Sequence, residues 1–137
     1  MLASLHKEST EYGVEPKNKR YVLANLTKML YLDHVLFYVY VSDKNEVKGF
    51  YIATVQENWF APTVTVFEQL LYVKPEHRGS LVAPRLVQSL ERQAAALNAT
   101  RVRAGVTTGI NHENALSLYE RMGYSQVGTL VQKRIGG

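Results

Sequence analysis

The chain has 137 residues, 46% of them apolar and 20% charged, with a formal net charge of +4 and no cysteine. That length suits one domain, residues 1–137, with a real core. The missing cysteines exclude disulfides, thiolate catalysis and Cys-based zinc sites.

His6, His34, His77 and His112 show no paired ligand spacing, so no metal is expected. No apolar run reaches the roughly 20 residues of a membrane span. The first eight residues lack the basic-then-apolar pattern of a signal peptide, so the expectation is a cytoplasmic protein without membrane contact. The charge is uneven. Residues 1–73 carry 7 Lys+Arg and 8 Asp+Glu, whereas residues 74–137 carry 9 and 4. A basic half attracts polyanions. Its cations are spread over helices, strand and tail rather than packed in one run, which argues against a nucleic-acid surface.

In chain order, residues 1–12 read as a short amphipathic helix, and Gly13 and Pro16 punctuate the break after it. Residues 20–32 place Tyr21, Val22, Leu26, Met29 and Leu30 at the spacing of a helix with one buried face. Residues 35–41 are β-branched and aromatic and end at the turn-forming Ser42, Asp43, Lys44 and Asn45. Residues 49–55 read as the second arm of a hairpin, and residues 64–73 as a third strand bounded by Pro62 and Pro75. Residues 81–97 form the long helix, with Val82, Leu86, Leu90, Ala94 and Leu97 on one stripe. Residues 101–106 alternate charged and apolar as a strand, residues 113–122 form a helix closed by Gly123, and residues 126–135 read as a last strand. The pattern predicts an α/β (α+β) fold, a mixed sheet flanked by helices.

The densest chemistry lies between Glu68 and Tyr124. A strand runs into Lys74, Pro75, Glu76, His77, Arg78, Gly79 and Ser80, and then into a helix start. That order points free backbone N–H groups at one spot, which is how a protein holds phosphates without metal. Ser80 is suited to cap the helix. Pro84, which has no N–H, fits the first helical turn. An ordinary strand–helix turn with a solvated arginine would read the same way if it stood alone. Further on, Ala115, Leu116, Ser117, Leu118, Tyr119, Glu120, Arg121, Met122, Gly123 and Tyr124 put a tyrosine in an amphipathic helix ending at glycine.

Together these stretches resemble the Gcn5-related N-acetyltransferase (GNAT) family, and the compact form is similar to its small phage members. The resemblance covers residues 21–135. It implies a mostly antiparallel sheet with an acetyl-CoA cleft between splayed central strands, and a first family strand that is short or absent here. The family signature is Arg or Gln, two residues, Gly, one residue, then Gly or Ala. Arg78 and Ala83 fit it, and Leu81 stands where glycine is usual. The resemblance implies that Arg78, Gly79, Ser80, Leu81, Val82 and Ala83 hold the diphosphate. Leu81 can serve with a negative φ and its side chain turned into the core. Leu70, Leu71, Tyr72 and Val73 would pair with the pantetheine arm as an added strand does. Tyr119 matches the family tyrosine beside the sulfur, where a phenol can give a proton to a thiolate; packing in the core is its other reading. Glu68, an acid in an apolar strand, is the base candidate, with edge exposure or ion pairing as the alternative.

His112 and Glu113 are the next base candidates, and Asn111 is a pantetheine contact. Acceptor choice falls to residues 12–31 and 57–63. The second segment holds Trp59 and Phe60, read as an exposed aromatic pair beside the cleft or as core. A homodimer could form through a strand edge or Trp59. The expected function is transfer of an acetyl group from acetyl-CoA to a primary amine, on a small molecule or a protein, by direct attack. The rivals are a catalytically degenerate CoA-binding or interaction module, which Leu81 supports, and a basic nucleic-acid-binding domain.

Overall fold

The computed structural model describes residues 32–105 and 112–136. The expected helices over residues 1–12 and 20–32 lie outside these residues, save Leu32, and so does Asn111. The elements are β1 (Val35–Val41), β2 (Val47–Glu57), β3 (Val64–Val73), a 3-10 turn (Pro75–His77), α1 (Val82–Ala96), β4 (Ala99–Ala104) and α2 (His112–Arg121). The strands form one sheet in the order β1-β2-β3-β4. The first two pairings are antiparallel and the third is parallel. This is the mixed, mostly antiparallel α+β architecture expected. None of the described helices is long and apolar enough to cross a membrane.

Local chemistry sets the connections. The Ser42 hydroxyl accepts from the N–H groups of Lys44 and Glu46 at 3.3 and 3.1 Å, and Asn45 takes φ +62° to close the β1–β2 turn. Asparagine tolerates that left-handed conformation better than most residues. A parallel β3–β4 pair needs a crossover, and α1 supplies it. Its buried stripe, Val82, Leu86, Val87, Leu90 and Ala94, recurs at helical spacing. Most of that stripe packs on Tyr51, Ala53, Val66 and Val73 of the sheet. The opposite sheet face carries Phe50, Leu70 and Tyr72. At Gly49 a Cβ would stand 2.7 Å from the Tyr72 carbonyl oxygen, so only glycine lets β2 lie this close to β3.

Asn98, at φ +58°, ends α1 in a single left-handed residue. β4 therefore starts at Ala99, earlier than the expected 101–106. A larger departure lies at the C-terminus, where residues 126–135, expected as a last strand, form no strand. Val127, Leu130, Val131 and Ile135 are between 75% and 85% exposed. A strand-like sequence becomes a strand only where a neighbour accepts its hydrogen bonds. β4 has β3 as its sheet neighbour, and the tail does not join it.

Candidate active site

The site is built around an irregularity in β3. Ala53 pairs with Glu68 and Ile52 with Leu70, which leaves Gln69 as the extra residue of a β-bulge. Unbroken alternation would put Glu68, Leu70 and Tyr72 on one face. The bulge switches the parity, so Leu71 and Val73 pack on the α1 side while Leu70 and Tyr72 face the other way. Glu68, paired with Ala53, stays on the α1 side. Pairing with β4 also stops here: its last partners are Glu68 and Ala104. Among the described residues, positions 69–73 have β2 on one side and no strand on the other. Their backbone on that side forms a slot for an extended ligand.

The turn after β3 follows. The Arg78 Nε donates to the Val73 carbonyl at 3.0 Å, and its guanidinium lies 5.4 Å from the Tyr72 ring centroid. Arg78 is thereby fixed at the mouth of the slot. Gly79 takes φ +78°, with nothing within 4 Å of where a Cβ would stand. Ser80 is not the N-cap expected of it, for Leu81 holds that position. The Ser80 hydroxyl instead donates to the His77 carbonyl and accepts from the Val82 N–H at 3.3 Å. Leu81 has φ −81°, as a non-glycine residue requires. Its side chain is 62% exposed rather than turned into the core. The core above the turn is already filled by Val82 and Leu86. Val82 and Ala83 open α1, where backbone N–H groups lack helical acceptors and the helix dipole favours an anion.

Glu68 and Tyr119, 51 residues apart, meet here. The Tyr119 hydroxyl donates to Glu68 Oε2 at 3.4 Å. Glu68 is 7% exposed and Tyr119 6%. Burial is the main cause that raises the Glu68 pKa from 4.5 to about 8, opposed by hydrogen bonds from Tyr119 and the Gly105 backbone. Burial, and then the adjacent Glu68 and Tyr124, push Tyr119 upward from the ordinary phenol value.

The end of α2 sets the position of Tyr119. The Gly123 N–H reaches Glu120 O at 3.1 Å and the Tyr124 N–H reaches Tyr119 O at 3.0 Å, with Gly123 at φ +93°. This is the glycine-capped helix end expected from the sequence, and it brings the residue after the glycine back onto the residue five before it. Here those residues are Tyr124 and Tyr119, in edge-to-face contact at 5.1 Å.

Other expected features lie elsewhere. Trp59 is 94% exposed and packs edge-on against Phe60, over which Arg101 sits. The pair is therefore not core. It precedes the first residue of β3 while the phosphate turn follows the last, about 30 Å away along the strand. The Asn58 amide pins this loop, donating to Thr63 at 2.8 Å and accepting from Thr65 at 2.9 Å. An open groove of about 440 Å³ between β1 and α1 holds Tyr38, Tyr40, Arg85 and Arg92 but neither Glu68 nor Tyr119. Arg85 donates to the Tyr40 hydroxyl at 2.8 Å there, which turns it toward β1. The side chains of His112 and Glu113, like all of Asn111, fall outside the described residues. Sequence reasoning did not find the bulge at Gln69, the Gly105 contact, or Tyr124. Only Tyr124 had a signal, the residue that follows a helix-capping glycine.

With this geometry in hand, comparison with known proteins is informative. The sequence profile of the Acetyltransferase (GNAT) family matches residues 1–124. The chain belongs to this family. Solved structures agree in fold. One, described as a probable acetyltransferase, has a TM-score of 0.77 at 22% identity, covering 98% of this chain and 89% of its own. A Trypanosoma brucei acetyltransferase gives 0.75 at 16% identity, covering 98% and 92%. The aminoglycoside 6′-N-acetyltransferase of Acinetobacter baumannii gives 0.71 at 19% identity, covering 88% and 84%. Among curated proteins none matches the sequence. GNAT members generally use acetyl-CoA, and the edge of β3 beyond its pairing with β4, the Gly79 turn and the start of α1 are chemically suited to its pantetheine arm and diphosphate.

Proposed function

We propose that this GNAT protein transfers an acetyl group from acetyl-CoA to a primary amine by direct attack, with Glu68 as base and Tyr119 as acid. The observation that carries this is the meeting of Glu68 and Tyr119 at 3.4 Å beside the stretch of β3 beyond its pairing with β4. When bound, acetyl-CoA supplies the activated thioester. Leu71, Tyr72 and Val73 offer backbone groups to its arm, while Arg78, the 79–81 turn, Val82 and Ala83 face its diphosphate. A backbone donor aimed at a developing oxyanion is typically worth about 3 kcal/mol.

An amine reaches the site as an ammonium ion and must lose two protons to become an amide. Glu68, with a pKa near 8, is matched to that task. Ionised, it takes the two protons in turn, one from the ammonium before attack, which leaves for solvent, and one from the tetrahedral adduct, directly or through one water. The second proton ends on the departing sulfur. Tyr119 donates it and recovers a proton from the neutral Glu68 carboxyl it already contacts. One C–N bond forms, one C–S bond breaks, one proton returns to sulfur and one leaves for solvent.

Leu81 takes the negative φ that lets a non-glycine residue stand in this turn, which supports CoA binding, although its side chain is exposed rather than turned into the core. Calorimetric titration with acetyl-CoA, with adenosine nucleotides lacking the pantetheine arm as control, tests the cofactor half. Micromolar binding that needs the arm is expected; no binding at millimolar ligand sinks the reading. A panel of amines, with aminoglycosides and other small polyamines first and lysine peptides second, tests the acceptor half. Glu68→Gln and Tyr119→Phe serve as its controls.

A further inference from the structure

The open groove between β1 and α1 takes no part in the proposed reaction. The sheet order sets β2 between β1 and β3, the strand that carries the slot. The groove's volume of about 440 Å³ falls within the range of small-molecule sites. One wall is β1. Tyr38 and Tyr40 alternate onto its α1 side, where Tyr38 pairs with Tyr51 and stacks on its ring at 5.4 Å. Tyr38 stays 39% exposed, so part of its ring is open to a ligand. The other wall is α1. Arg85, Ser89 and Arg92 follow at spacings of four and three, which puts them on one helix face.

Two features set this groove apart from ordinary surface. Its serine is held from below, for the hydroxyl of the fully buried Tyr51 lies 3.1 Å from Ser89 Oγ. Its arginines lack acids. Arg85 donates to the Tyr40 hydroxyl at 2.8 Å, a neutral acceptor, and among the described residues no carboxylate pairs with Arg85 or Arg92. The exposed Arg101 and Arg103 of β4 instead lie over the rings of Phe60 and Phe67. Guanidiniums offer forked donors matched to phosphate oxygens. Two of them balance the charge of about −2 that a phosphate monoester carries at neutral pH, whereas a carboxylate would balance only one. The tyrosine face beside them suits a planar ring. We propose that this groove is a second ligand site, for a phosphate monoester that carries an aromatic ring. The phosphate lies over Ser89 between Arg85 and Arg92, and the ring lies against Tyr38.

Aryl phosphates and nucleoside monophosphates share that chemistry, so phenyl phosphate and uridine monophosphate are the two probes. Amide NMR of the whole protein is followed against each, with and without acetyl-CoA. Shifts are expected at residues 38–40 and 85–92, unaffected by acetyl-CoA, with a Kd below about 1 mM. Tighter binding of one probe or the other supports the site and tells which source it prefers. Inorganic phosphate and phenol, each with half of the chemistry, should bind at least about ten-fold more weakly. Arg92→Gln changes an exposed residue and leaves the fold intact; it should weaken both probes by about ten-fold or more, and so should Tyr38→Ala. Arg103→Gln removes the same charge elsewhere and should leave binding as it is. No shift with either probe up to about 10 mM overturns the proposal. So do shifts that gather at residues 79–83 and vanish with acetyl-CoA, which would place the probes in the slot, and an equal loss in Arg103→Gln, which would reduce the groove to general attraction by a basic protein.

Discussion

Two stretches of this chain share one pattern and meet different fates. Residues 64–73 and residues 126–135 both read as strands in the sequence. The first is β3, paired along its whole length with β2 and for its first half with β4, with most of its side chains buried. The second pairs with nothing in the sheet, and its apolar side chains face solvent. A strand is thus a property of a neighbourhood, not of a sequence. β3 also shows the useful side of incomplete pairing, since the half that β4 leaves open is where an extended ligand can be held.

The sharpest way to break the comparison is through the one acid in β3. Glu68→Gln keeps the shape and removes the proposed base, and acetyl transfer should fall by about 10²–10⁴-fold in steady-state assays. Wild-type kcat/KM should rise with pH through about 8, where Glu68 ionises. The same group links to stability. Its folded pKa lies above the ordinary 4.5, so the fold favours the neutral form. That contribution is complete below pH 4.5 and is lost as pH rises to about 8. Denaturant melts of the wild type should weaken across that window by at most about 1.4 kcal/mol per pH unit. The Gln variant should lack this component, and an unchanged pH slope would refute the assignment.

Core substitutions come next. Leu90 is fully buried between α1 and the sheet. Leu90→Ala should cost about 3 kcal/mol in chemical denaturation. Gly49→Val drives a side chain onto the backbone of Tyr72 and Val73 and should cost as much or more, because backbone cannot move aside as a side-chain tip can. Should Gly49→Val prove neutral, the close β2–β3 approach is wrong.

How much was legible follows from the same physics. The limits of β3, the stripe of α1 and the glycine cap of α2 rest on local patterns, and local patterns can be read in one dimension, whereas Glu68 and Tyr119 were singled out by the family resemblance. The bulge at Gln69 could not be, because it is a mismatch between two strands. Nor could the end of β3–β4 pairing after Glu68, which depends on where β4 begins, and so on the single turn residue Asn98. For Trp59 and Phe60 the exposure was legible and the place was not. Their loop has the composition of a recognition surface, but only the topology shows which end of the hairpin it occupies. Ser80 looked like a cap by residue type. One more residue of turn moved the cap to Leu81 and gave the serine to His77 instead.

Leu81 offers a smaller effect that sharpens the same point. It departs from the family pattern, yet its φ is negative and its side chain is mostly in water. Replacing it with the usual glycine should change acetyl-CoA affinity by less than about three-fold in calorimetry, since an exposed side chain away from special contacts contributes little. A gain of ten-fold or more would mean that the leucine obstructs the diphosphate.

The smallest effect belongs to the tail. Val127 and Val131 are the β-branched residues that most suggested a strand, and they are 78% and 85% exposed. Val127→Ser with Val131→Ser should shift stability by no more than about 0.5 kcal/mol, because little apolar area leaves a buried environment. The comparable change at Val66, fully buried in β3, takes two buried methyl groups out of the core. It should cost at least about 2 kcal/mol, since it leaves a cavity and brings in a hydroxyl without a partner. The ratio between these two results measures how far a strand's worth lies in its partners. Equal costs would show that residues 126–135 pack in solution as β3 does.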